Sequence, residues 1–141
     1  MQNTLIDYDN SKKPIHMPEH KLRQLQYESD TWRRLLGFMI DENIHLKNRI
    51  SAILQNGFQK DLLEGVEDFQ TRFLKEDDLI VLLRNEVAEL DKLLEREIFE
   101  DGKIVKEIDS RLKKLRNNII IAERQFSRLK LDFNNYLSAN I

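Results

Sequence analysis

The sequence predicts an all-α protein: an elongated antiparallel three-helix bundle or coiled coil with a short N-terminal tail. Three observations lead there. Apolar residues return at alternating steps of three and four along most of the 141 residues, which is the spacing of one face of a helix. Helix breakers are scarce, with four glycines and two prolines. Charged residues make up 34% of the chain, and Leu, Ile, Lys, Glu and Arg recur throughout, as in long helices.

Residues 1–17 show no helical period and read as an extended tail, with "TLIDY" as its one apolar stretch. Pro18 suits a first helical position, with Glu19 beside it in the positive first turn. A seam then runs through Leu22, Leu25, Ser29, Trp32, Leu36, Met39, Asn43, Leu46, Ile50 and Ile53, and Asn56-Gly57 ends it, as such a pair ends many helices. The second seam is Leu62, Val66, Phe69, Phe73, Glu76, Ile80, Leu83, Val87, Leu90, Leu94 and Glu97. Its phase holds through Gly65 and the acidic residues at 76–78, so one continuous helix is expected rather than two split at an Asp78 cap. The third seam is Val105, Ile108, Leu112, Leu115, Ile119, Ala122, Phe126, Leu129, Phe133 and Tyr136. Its phase differs from that of the second, which places a turn at 100–102.

The expected organisation is a tail at 1–17 and a bundle at 18–141, with helices at about 18–55, 59–99 and 103–138. Short connections make consecutive helices antiparallel neighbours. At about 38 residues each, the helices form a rod on the order of 57 Å long. The layout resembles a spectrin-type three-helix bundle in topology alone, without a family motif.

Several function classes are argued against. With 23 basic and 25 acidic side chains, the net charge is −2, which leaves no basic excess for nucleic acid. The longest apolar runs, "LIVLL" and "IIIA", are far too short to span a bilayer. No cysteine is present, so disulfides and Cys-based zinc sites are ruled out. The first residues lack the apolar run of a signal peptide. A cytoplasmic protein is expected.

One short motif points toward metal. Glu42 and His45 form E-x-x-H, a ligand pair of di-iron helical bundles. With Asn43 and Leu46 as core positions a and d, however, His45 falls at c and faces away from the seam. A second E-x-x-H is also missing. His16 and His20 straddle Pro18 and need not share a face. No catalytic, cofactor-binding or metal-ligating residue is therefore assigned. Glu97 is expected to reach water near a helix end, and Glu76 to bend outward from a narrow bundle. Asn43 is a candidate for fixing register, as polar core residues do in coiled coils. The basic run "RLKKLR" at 111–116 is expected to be neutralised across the second hairpin by Glu86, Glu89 and Asp91.

The period fails in one informative way. Positions outside a seam should be polar, yet Phe38, Ile44, Leu74, Val81, Leu82, Ile120 and Ile121 are apolar and off-seam. Hairpins folded at 56–58 and 100–102 set residue 81 across from about residue 33 on one neighbour and about residue 121 on the other. All seven then fall in the middle third of the rod. They are the candidate partner-binding residues. The expected function is a non-catalytic helical interaction or scaffold protein that forms a homo-oligomer or docks a protein partner. The alternative is a carboxylate-based metal or small-molecule enzyme within the bundle.

Overall fold

The computed structural model of the chain describes residues 17–56, 60–100 and 102–140. It contains three helices, α1 (Glu19–Gln55), α2 (Lys60–Glu100) and α3 (Val105–Asn140). Consecutive helices pack along their lengths, giving the elongated antiparallel three-helix bundle expected. The expected tail lies outside the described residues apart from Met17, which is buried.

The seams become the core. In α1 every seam residue is buried except Leu46, which is partly so. In α2 the whole seam is buried apart from half-buried Glu76, and Leu93 joins it. In α3 only Val105 and Tyr136, at its two ends, are partly exposed, and Leu137 adds to the core. The end of the rod where α2 begins and α3 finishes is aromatic. Phe133 packs on Phe69 at 5.2 Å and edge-on to Phe73 at 5.4 Å, spacings at which ring quadrupoles attract.

Helix boundaries depart from expectation in instructive places. Pro18 is an N-cap rather than a first helical residue. Its backbone is extended, at φ −61° and ψ 148°, and its carbonyl accepts the N–H of Lys21 and Leu22. The third helix begins at Val105 because Gly102 takes φ 88°, which a glycine adopts without strain. Residues 102–104 form a turn, and the Val105 N–H donates to the Gly102 carbonyl at 3.4 Å. α2 is continuous through 76–78, with no break at Asp78.

Glu97 corrects a further expectation. It does not reach water; it is 0% exposed. Its carboxylate accepts the backbone N–H of Met17 and of Gly102, each at 3.2 Å. A buried carboxylate requires such donors. Here they come from Met17, just before α1, and from the turn between α2 and α3, so one side chain ties three parts of the tip together.

Two polar layers cross the core between α1 and α2. In one, the Ser29 hydroxyl and the Arg33 guanidinium both donate to Asp91. In the other, the Asn43 amide and the Lys47 ammonium both donate to Asp77, and the Asn43 amide also donates to the Phe73 carbonyl at 3.0 Å. The layers are two heptads apart on each helix, about 21 Å along the rod. A parallel pair of ties joins α1 to α3. Arg116 makes two bonds to Glu28, at 2.8 and 2.7 Å, and Lys130 one to Glu42 at 2.6 Å. These too repeat after two heptads.

Two glycines separate cleanly. A Cβ on Gly65 would overlap the Tyr136 phenol, whereas one on Gly37 would meet nothing within 4 Å. The Tyr136 ring lies on Phe69 at 5.4 Å and its hydroxyl donates to the Leu62 carbonyl at 3.3 Å, so it has little freedom to retreat. Gly37→Ala should stabilise the protein by about 0.5–1 kcal/mol through helix propensity. Gly65→Ala should lower the melting temperature despite the same propensity gain. Equal shifts of one sign in thermal melts would contradict this assignment.

The polar layers give a second test. Asp77→Ala removes the acceptor of Lys47 and leaves Asn43 only the Phe73 carbonyl, and should cost about 1–3 kcal/mol, as should Asp91→Ala. Because the layers lie about 21 Å apart with no shared partner, the double change should be additive to within about 0.5 kcal/mol in denaturant unfolding.

Candidate functional site

Side chains off the seams carry what the bundle presents to its surroundings. Phe38, Ile44, Leu74, Val81, Leu82, Ile120 and Ile121 are all exposed, between 42% and 61%. Their levels along the rod follow from the polar ties. Asp77 meets Asn43 and Asp91 meets Ser29, so Val81 lies across from about residue 39, not residue 33. The correction has a physical source: side chains lean toward the N-terminus of their own helix. In antiparallel neighbours, residues that meet are therefore displaced beyond the count from the hinge. Arg116 meets Glu28 and Lys130 meets Glu42, which sets Ile120 and Ile121 level with about residues 32 and 33. The seven residues then occupy roughly 20 Å of the rod, near its middle.

They encircle the rod rather than sharing one face. Residues three and four apart share a helix flank. Ile44 is three from Lys47, and Leu74 and Val81 are three and four from Asp77, so all three edge the groove that the Lys47–Asp77 pair crosses. Phe38 is four from Glu42, and Ile120 is four from Arg116, so both edge the groove between α1 and α3. Leu82 is four from Glu86, and Ile121 is three from Asn118; these face each other across the groove between α2 and α3 that Glu86 and Asn118 line.

Four further apolar side chains are exposed: Tyr27, Ile98, Leu131 and, most of all, Phe99 at 82%. The same off-phase signal marks them. Tyr27 lies between the seam residues Leu25 and Ser29, Leu131 between Leu129 and Phe133, and Ile98 and Phe99 beyond Glu97.

The E-x-x-H pair does not converge. The Glu42 carboxylate is taken by Lys130, and His45 is exposed. Among the described residues no group of three or more His, Asp and Glu side chains is placed to hold a metal ion. The expected neutralisation of the basic run across the second hairpin is also corrected. Arg111 pairs within α3, with Glu107 at 3.7 Å, and Arg116 pairs with Glu28 on α1. Asp91 is held from α1 and Glu89 pairs with Lys92 at 3.2 Å on its own helix. Only Glu86 shares a groove with Arg111 and Lys114.

Glu76 does not bend fully outward, and among the described residues it enters no ion pair. It is half-buried beside a groove of about 480 Å³ between α2 and α3, lined also by Arg72, Lys75, Arg124, Arg128 and Asp132. Its Oε2 is buried without a hydrogen bond. Burial pushes its pKa above the ordinary carboxylate value, because desolvation disfavours the charged form.

The class that fold and surface define is a helical bundle with a closed core and an apolar girdle. No family model, curated protein or solved structure matches the chain. Among the described residues no helix is long and apolar enough to cross a membrane.

The raised Glu76 pKa has a definite sign in stability. The folded state favours the neutral acid, so this contribution is fully present below the unfolded carboxylate pKa and is lost as pH rises through the raised value. Glu76→Gln keeps the site neutral at every pH. It should melt above the wild type at pH 7.5 and lose that advantage by about pH 4. A difference independent of pH would show a carboxylate that is solvated and charged throughout.

Proposed function

We propose that the chain is a non-catalytic helical interaction protein that self-associates or docks a protein partner through its mid-rod apolar girdle. The observation that carries this reading is the coexistence of a core that is already closed with seven large apolar side chains left 42–61% exposed outside it. Each such side chain left in water rather than buried costs about 1.5–3 kcal/mol. Covering several together can offset the entropy lost on association. Exposed apolar surface bordered by polar residues is also a common mark of an interaction site, and Lys75, Asp78, Asn85 and Arg124 border the apolar side chains of the girdle. The proposal places the protein in the cytoplasm, as a coiled-coil-type module of a larger assembly.

Leu82→Lys with Ile121→Lys puts charge on two exposed positions, 53% and 42% accessible, and leaves the seams intact. The pair should lower the mass seen by light scattering, or abolish capture of a partner, at unchanged helical content. An early melt with loss of helix would show instead that these residues belong to the core.

A further inference from the structure

We infer that the groove between α2 and α3 receives the acidic outer edge of α2 from a second copy of this chain. The inference rests on the association reading above and names the partner. It comes from two surfaces of the bundle that complement each other in both charge and shape of pattern.

The groove is basic and then apolar. Four cations, Arg72, Lys75, Arg124 and Arg128, line it beside Glu76 and Asp132. Arg72 is engaged by Asp68 at 2.8 Å and Arg128 by Asp132 at 3.6 Å. Lys75 and Arg124 enter no ion pair among the described residues. Seven residues along α2 from Lys75 stands Leu82, and three along α3 before Arg124 stands Ile121, two exposed apolar residues further along the space between the same two helices. Lys75 thus stands about 10.5 Å from Leu82 along its helix, and Arg124 about 4.5 Å from Ile121.

The outer edge of α2 carries the opposite sign in the same rhythm. Glu67, Leu74 and Val81 follow one another at seven-residue steps, with Glu64 and Asp78 three residues to their N-terminal side. Glu64, Glu67 and Asp78 are exposed and, like Lys75 and Arg124, enter no ion pair among the described residues. Between residues 64 and 81 this edge holds no basic side chain of its own. Glu67 thus precedes Leu74 by about 10.5 Å and Asp78 precedes Val81 by about 4.5 Å, the two separations found in the groove.

Like surfaces would repel, since groove against groove brings cations together and edge against edge brings carboxylates together. Edge into groove pairs unlike charges and sets an apolar residue of the edge, Leu74 or Val81, against Leu82 and Ile121. Both surfaces belong to one chain, on different sides of α2, so each copy offers one of each. Such a contact is heterologous, and it builds a closed ring or an extending row.

The test uses the full chain and two charge-reversed variants, Lys75→Glu/Arg124→Glu in the groove and Glu67→Lys/Asp78→Lys on the edge. All four positions are exposed, and circular dichroism verifies that the helices persist. Multi-angle light scattering should find the wild type at a mass of two or more copies and each variant alone at the mass of one. An equimolar mixture of the two should regain a multiple mass, because each then meets a complementary surface. A monomeric wild type, a charge-reversed variant that keeps the wild-type mass, or a mixture that stays monomeric overturns the inference. The broader association reading fails on a different result: Leu82→Lys/Ile121→Lys changing neither mass nor capture of any partner.

Discussion

Register between α1 and α2 is the constraint on which the rest of the bundle depends, and two buried polar layers set it. Apolar seams alone discriminate poorly between registers, because a shift of one heptad brings Leu, Ile and Val against much the same company. Asp77 and Asp91 do discriminate. In the observed register each faces a polar core residue, Asn43 or Ser29, and a cation one turn further on, Lys47 or Arg33. Slide α2 by one heptad and the positions now held by Asn43 and Ser29 are taken by Ile50 and Leu36, both fully buried at 0% exposure. The carboxylates would lose their acceptor roles beside an apolar wall, and a half-buried charge without partners is among the more expensive defects a fold can carry.

A slide of two heptads is the more dangerous alternative, because it would let Asn43 meet Asp91 and keep one layer whole. Chain connectivity prevents it. Such a slide moves α2 by about 21 Å. Four residues link Gln55 to Lys60, and they reach at most about 17 Å while also crossing the roughly 9 Å between helix axes. The other end is held as well. Glu97 collects the backbone N–H groups of Met17 and Gly102, so any axial movement of α2 carries its carboxylate away from both. Polar chemistry at three heights thus selects a register that the apolar periodicity would have left degenerate.

What could be read in the sequence follows the same division. The seams, their lengths and the continuity of α2 were legible because helical period is a local property, and every seam residue proved buried or partly so. The off-phase apolar residues were legible for the same reason, since exposure of Phe38 or Leu82 depends only on which way its own helix faces. Partnership was not legible. Ser29 reads as a weak spot in a seam until Asp91, 62 residues on, is placed beside it. Glu97 reads as a solvated end residue until the backbone N–H groups of Met17 and Gly102 are placed on its carboxylate. Gly65 reads as a blemish in a helix until the Tyr136 ring occupies the space a methyl group would fill. Each of these depends on register and on three-dimensional neighbours, which no single-helix pattern contains. The basic run at 111–116 shows the converse error: proximity across a hairpin was anticipated correctly for Glu86, but Arg116 turned to α1 instead.

Register also decides what the outside of the bundle can do. In the apolar girdle, Ile44 on α1 stands within about 8 Å of the levels of Leu74 and Val81 on α2, and Leu82 on α2 within about 8 Å of the level of Ile121 on α3. A one-heptad slip would move Leu74, Val81 and Leu82 together by about 10 Å along α1 and change which apolar side chains of the girdle are neighbours. The buried layers and the exposed girdle are thus linked through rigid helices rather than through contact. Asp77 illustrates the link: its carboxylate binds Asn43 and Lys47 in the interior, while Leu74 and Val81, one turn to either side, face outward on the flank it holds in place. The interior chemistry that specifies one register is in this way also what fixes the relative heights of the exposed apolar side chains.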